Sequence, residues 1–375
     1  MTISFSAIPS DIRVPLFWAE MDNSKASTTA DSAPALLMGY ASADSTIAKN
    51  TLTIMPSAAL AGKVAGRGSQ LARMVSRYRN VDPFGEVWVI AVDEPTGATA
   101  SGTLTITGTA QASGNLSLYI GVERVQGAVA TGDSASAVAT TLAAAINANV
   151  DLPVTATAEA GVITLTARHK GLTGNDIPLA LNYYGTVGGE STPDGIAVAI
   201  GAMSGGTGAP ELAAAVAAMG DEAFDFIALP FSDSASLETL ALEMNDATGR
   251  WSYARQLYGH VYTAKRGSLS ELVAFGDTQN KQHISVAGYE TAIQTSADEL
   301  VALRTARNAV FIRNDPARPT QTGELNGALP APAGSRFTLT EQQSLLSHGI
   351  ATAYAENGVL RIQRDITTYQ TNSRS

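Results

Sequence analysis

From Pro34 onward, short runs of consecutive apolar residues alternate with stretches that are apolar on one side only. "ALLMGY" at 35–40 has no polar position, the pattern of a strand buried on both faces. A helix is predicted over 69–79, where Leu71, Met74, Val75 and Tyr78 recur on one face, and "VWVIAV" at 87–92 reads as a second buried strand. The chain before Pro34 differs. Ile3 and Phe5, then Val14, Leu16 and Trp18, alternate with polar residues, while Pro9 and Pro15 block a helix. Residues 1–32 are therefore expected to be extended, as an edge strand or as an arm lying outside the domain.

Between residues 93 and 208 the period changes. "TLTIT" (103–107), "LSLYIGV" (116–122), "VTATA" (154–158) and "VITLT" (162–166) mostly alternate apolar with polar, the mark of sheets with one face in solvent. One helix interrupts them after Asp133, with Val138, Leu142 and Ile146 four apart on a single face. "DEPTGATASG" precedes the segment and a glycine-rich stretch, "GTVGGESTPDGIAVAIGAMSGGTG", closes it. The pattern predicts an inserted β-rich α+β domain at 94–208, dividing an α/β core into 33–93 and 209–375.

The first rhythm resumes at Pro210, which suits the first position of a helix carrying Leu212, Val216 and Met219 and ending at Gly220. "FDFIALP" (224–230), "GHVYTA" (259–264), "HISVAG" (283–288) and "AVFIRN" (309–314) are predicted strands. Between them fall a helix through Leu237, Leu240 and Met244 and two capping-box spacings, Ser268-x-x-Glu271 and Ser296-x-x-Glu299. Thr340-x-x-Gln343 is expected to open a last helix that Gly349 ends. This alternation predicts a largely parallel sheet with helices on both faces, two of its strands preceding the insertion.

Composition narrows the function. At 375 residues the chain is long enough for two or three domains, and 45% apolar with 15% charged residues is a composition that folds. The net charge is −10 and no lysine/arginine run could track a phosphate backbone, so no nucleic-acid partner is expected. The N-terminal residues do not read as a secretory signal, and no window of about 18 apolar residues exists to insert into a membrane. There are no cysteines.

Each candidate chemistry lacks a partner. In "GKVAGRGSQL" (62–71), Gly66-x-Gly68 continues to Leu71 where a dinucleotide loop needs glycine, so these glycines read as a tight approach to a helix. Ser204 in "GAMSGG" has Ala202 where a nucleophile elbow needs glycine. Of the four histidines, His169, His260, His283 and His348, the middle two begin core strands, and none is spaced as a metal pair. No catalytic, cofactor-binding or metal-binding residue is expected, and no cofactor.

Several stretches together resemble the tail sheath proteins of contractile-tailed bacteriophages, in the Mu-like branch. They include "IPSDIRVPLFWAEMDNSKA" (8–26), "GRGSQLARMVSRYRNVDPFGEVWVIAV" (66–92), "LSLYIGVERVQGAVATGDSASAVATTLAAAINA" (116–148) and "LTARHKGLTGNDIPLALNY" (165–183). "RQLYGHVYTAKRGSLSEL" (255–272), "NDPARPTQTGEL" (314–325) and "GIATAYAENGVLRIQRDITTY" (349–369) complete the set. The resemblance implies a structural subunit, with copies stacked as rings of six in a helical array around the tail tube protein. It implies contraction that drives the tube through the bacterial envelope, and contacts with the baseplate and the tail terminator. It places the protein in the virion tail after synthesis in the host cytoplasm, and implies a core of subtilisin-like shape without a triad. Ile3, Phe5, Val14, Leu16 and Trp18 would belong to an inter-subunit arm adding a strand to a neighbour. His169 and Lys170 would be turn residues of an outward-facing domain. Such proteins continue past the "ITTY" strand, so the resemblance also implies a chain lacking its C-terminal region and monomeric by itself. A reading from another class is a surface-binding module that uses the inserted β domain; a relic hydrolase on the α/β core is a further rival.

Overall fold

"ALLMGY" forms β1 (Ala35–Tyr40), and all six residues are buried because helices cover both faces of its sheet. The computed structural model describes residues 32–371, so the arm positions Ile3, Phe5, Val14, Leu16 and Trp18 lie outside the described residues. After β1 come β2 (Leu52–Ile54), α1 (Ala58–Val64), α2 (Gln70–Val81) and β3 (Val87–Val92). Then follow β4 (Thr99–Gly108), β5 (Gly114–Ile120), β6 (Glu123–Val129), α3 (Ala135–Ala148), β7 (Val154–Glu159), β8 (Val162–Lys170), β9 (Leu179–Leu181) and β10 (Ile196–Ser204). The chain continues through α4 (Ala213–Ala218), β11 (Phe226–Ala228), α5 (Ser234–Glu243), β12 (His260–Gly267), α6 (Leu269–Asp277) and β13 (Ile284–Glu290). Last come α7 (Ala297–Asn314), α8 (Leu339–Ser347), β14 (Ile350–Glu356) and β15 (Val359–Arg364).

An eight-stranded sheet in the order β15-β14-β13-β12-β11-β1-β3-β2 forms a large lobe. Its six inner strands run parallel, and only β2 and β15 at the edges are antiparallel. Alternate residues of β1 feed opposite cores. Leu37 packs with Leu71, Met74 and Val75 of α2, while Leu36 and Met38 pack with Leu237 and Leu240 of α5. Strand order reverses between β1 and β11, because the chain builds β3 on one side of β1 and β11 to β14 on the other.

Two further sheets, β10-β4-β8-β7 and β6-β5-β9, form a small lobe with α3. Their core holds Leu104, Leu118, Ile146, Ile163 and Leu165, all essentially without solvent exposure. At the edge strand β7, the Asn147 side chain donates to Ala156 O at 2.7 Å and accepts from Ala156 N at 2.9 Å, as a neighbouring strand would.

Several sequence expectations change in detail. "AVFIRN" is the C-terminal end of α7 and not a strand: no glycine or proline interrupts 297–314, and a short apolar run does not distinguish the two by period alone. The helix stops at Asp315, extended at φ −153°, ahead of Pro316. Ser296 makes no capping bond to that helix, because Asp298 Oδ1 takes both its hydroxyl and the Glu299 N–H, while the Glu299 side chain turns to two arginines. The last capping box is formed by Thr338 and Glu341, two residues earlier than expected, while the Ser268–Glu271 box forms with both of its bonds. Leu212 precedes α4, so Pro210 lies outside that helix. Three strands, not two, precede residue 93, since the short edge strand β2 has too few residues to show a period. "ITTY" at 366–369 is not a strand. His169 and Lys170 are not turn residues: β8 runs through Lys170, and the turn begins at Gly171 with φ +108°.

Candidate functional site

A parallel sheet of this kind would take a ligand outside the carboxyl ends of its strands, where the strand order reverses. Here that place lies between Tyr40, the last residue of β1, and Phe231, just after β11. The small lobe fills most of it. Ile163, Leu165, Ala167 and His169 share the inward face of β8, so strand alternation carries His169 down onto the large lobe, where it is 3% exposed. Its ring centroid is 5.2 Å from that of Tyr40, which is in turn 4.9 Å from Phe231. His169 Nε2 lies 3.0 Å from Thr173 Oγ1. A cavity of about 230 Å³ remains, lined by Tyr40, Phe231, Asp233 and Lys265 from one lobe and by Leu172 and Thr173 from the other. Burial, and then the nearby Arg73 guanidinium, lower the His169 pKa to about 4 against the opposing charge of Asp298. The ring is neutral near pH 7.

Beside this plug runs a line of alternating charges. Arg73 Nη2 donates to Asp298 Oδ2 at 2.6 Å and Arg73 Nη1 to Glu299 Oε1 at 2.9 Å. Arg77, one turn further along α2, donates to Glu299 Oε2 at 3.2 Å and to Glu123 Oε1 at 2.8 Å. The relay thus leads from α7 through α2 to the first residue of β6 in the small lobe. Burial works against the charge of Arg73, but Asp298 and Glu299 outweigh it and hold the guanidinium above its ordinary pKa. Asp298 is likewise buried, yet Arg73 keeps its carboxyl below the ordinary value.

The Gly66-x-Gly68 loop is a seat for the small lobe. At Gly68, with φ +77°, an added Cβ would stand 2.5 Å from Leu152 O and 2.6 Å from Val150 O. Arg67, between the two glycines, donates to Asp151 Oδ1 at 2.8 Å. On the other side of the seam, the Gln294 amide donates to Gly121 O at 2.9 Å and faces Pro178 O and Tyr119 O at 3.3 and 3.4 Å. Tyr183 Oη donates to Pro330 O at 2.6 Å.

The remaining histidines do not meet at one place. His260 Nε2 is 2.8 Å from Ser285 Oγ, a pairing that the sequence did not reveal, because it joins neighbouring strands 25 residues apart. Ser285 is 4% exposed, and Asp365 is engaged by Arg304, Asn308 and Thr320, so no accessible nucleophile results. His283 stacks on Trp251 at 4.2 Å and meets Asp246 at 2.7 Å. His348 Nδ1 lies 2.7 Å from Ser344 O. Ser204 ends β10 and is exposed. No described helix is long and apolar enough to cross a membrane. The relay was hidden from sequence reading because the arginines of α2 lie more than 200 residues from Asp298 and Glu299, and Arg77 lies 46 from Glu123; the alternation continuing through "ARHK" was the available signal for His169.

Two family models match. Residues 95–206 match the phage tail sheath protein beta-sandwich domain, and residues 205–368 match the phage tail sheath protein central domain. The Mu-like prophage FluMu tail sheath protein of Haemophilus influenzae is 36% identical over 380 residues, covering 100% of this chain and 76% of the relative. Among solved structures, a sheath tail protein of Desulfitobacterium hafniense aligns at 13% identity with a TM-score of 0.46, over 91% of this chain and 72% of that one. One from Listeria innocua aligns at 13% and 0.45, over 91% and 70%. With a match over the whole of this chain at this identity and two sheath domains in sequence order, the chain belongs to the phage tail sheath family, as a Mu-like member.

Proposed function

We propose that this chain, a structural subunit of a contractile phage tail sheath, stacks in rings of six around the tail tube protein and meets the baseplate and tail terminator at the ends of the array. Contraction would drive the tube through the bacterial envelope. The subunit would be made in the host cytoplasm and act in the virion tail, with 94–208 as an outer domain on a 33–93 and 209–375 core of subtilisin-like shape. The arm residues Ile3, Phe5, Val14, Leu16 and Trp18 would link neighbouring copies. We read the chain as having no catalytic role and no cofactor.

The observation that supports this most is the plugged crevice. The place where a parallel sheet would hold a ligand is occupied by His169 and Thr173 of the same chain, and the Arg77–Glu123 pair, half exposed at Glu123, carries the buried charge relay of the large lobe across to the small one. The surface then serves contacts between copies. Such contacts, made head to tail, build open helices. Immunogold labelling of intact phage particles with antibody raised against 94–208 tests the reading. Gold along the whole outside of extended and contracted tails is expected; gold confined to heads, fibres or baseplates would overturn it.

A further inference from the structure

The small lobe is held at four separate stretches of its chain. Glu123, at the start of β6, receives Arg77. The carbonyls of Val150 and Leu152 lie over Gly68. His169, at the end of β8, packs against Tyr40 with the rings tilted by 42°. The carbonyls of Tyr119, Gly121 and Pro178 converge on the amide of Gln294, itself 4% exposed. Apolar burial is non-directional and would let two lobes close at many angles, whereas these contacts have fixed donors and acceptors.

The charges explain why Arg77 matters most. Within the large lobe, Arg73 and Arg77 face Asp298 and Glu299, so two cations meet two carboxylates before the small lobe is added. Glu123 adds a third carboxylate and reaches the relay only through Arg77. It is half exposed while Glu299 is buried, so Arg77 spans from the interior of one lobe to the rim of the other. We infer that Arg77 and Gln294 are positioning residues that set the angle of the small lobe on the sheet, and hence the direction in which each subunit presents its outer surface. This goes beyond the sheath reading and rests only on contacts within one chain.

The chain has no cysteine, so two can be introduced cleanly. Ala235→Cys on α5 and Thr157→Cys on β7, both at exposed positions, carry spin labels that report the distance between lobes. With all seam contacts present, one narrow distance population is expected. Arg77→Gln and, separately, Gln294→Leu should each add a second, longer population. Arg77→Lys, which keeps a cation before Glu123, should restore the single one. The inference is overturned if Arg77→Gln and Gln294→Leu both keep the narrow population, or if Arg77→Lys broadens it as much as Arg77→Gln does. If Arg77→Gln does not fold, Glu123→Gln leaves no new buried charge, and with Gln294→Leu it decides the same question.

Discussion

The interior of each lobe and the seam between the lobes are built from different chemistry. Inside the small lobe, Leu104, Leu118, Ile146, Ile163 and Leu165 make an apolar core, and the large lobe has two apolar clusters together with a few buried polar groups, such as Arg304 and Asn308, that are bonded within it. At the seam the buried residues include Arg73, Asp298, Glu299, His169 and Gln294 beside Tyr40. An apolar core tolerates exchange of one hydrocarbon for another of similar volume. A buried charge does not tolerate loss of its partner. The apolar cores are therefore tolerant of exchange, while the mutual placement of the lobes depends on a few directional contacts.

The contrast is broken most severely at Arg73. Arg73→Ala leaves Asp298 and Glu299 buried with too little positive charge, and should cost about 3–5 kcal/mol in chemical denaturation, as much as emptying a core site. Adding Asp298→Asn and Glu299→Gln to that variant should recover much of the loss, because no unpaired buried charge then remains.

Acid compares the two regions through one histidine in each. His169 at the seam and His260 in the sheet both have pKa values lowered to about 4, burial being the first cause in each case. The unfolded value is about 6.5. Both folded values lie below it, so the stabilisation is fully present above pH 6.5 and is lost as pH falls toward 4. The loss should be about 2–3 kcal/mol per histidine by pH 4. His169→Phe and His260→Gln should each flatten the pH dependence of the unfolding midpoint between 6.5 and 4. Equal slopes in both variants and the parent would contradict this.

A smaller effect is expected at Gly68. Gly68→Ala places a Cβ against two carbonyls in a left-handed conformation and should cost about 2 kcal/mol, while Gly132→Ala, at φ +93° in open space, should cost only the backbone strain of about 1 kcal/mol. The smallest is at the rim. Arg67 and Asp151 are both more than half exposed, so Arg67→Ala should leave the thermal midpoint unchanged within error.

Local features were legible in the sequence. The α2 stripe and the Ser268 box need only residues within one or two turns, and all four stripe residues of α2 are fully buried. The seam was not legible. Glu299 carries the spacing of a capping residue, yet it bonds Arg73, 226 residues away in the chain. Gly66 and Gly68 signal a tight loop, but nothing nearby in sequence says that Val150 and Leu152 need the room. In "AVFIRN", an apolar run of four fits a strand or a helix end equally well, and the preceding helix of good formers decided the matter. His169 was expected in a turn, as the family resemblance implied; the alternation of β8 keeps it in the strand, on the buried face.

Gly68 also bears on how such a molecule could be rebuilt from parts. By position it belongs to the large lobe, yet its missing side chain is demanded by the loop between α3 and β7. Recombination that replaced residues 94–208 as a block would carry over every β-strand of the small lobe but not this vacancy. A transplanted lobe whose loop follows the same path would seat only on hosts that keep glycine there. One whose loop is shorter would release the position to any residue compatible with the turn. Exchange between relatives is thus limited less by the two places where the chain crosses between lobes than by a single absent methyl group beneath them.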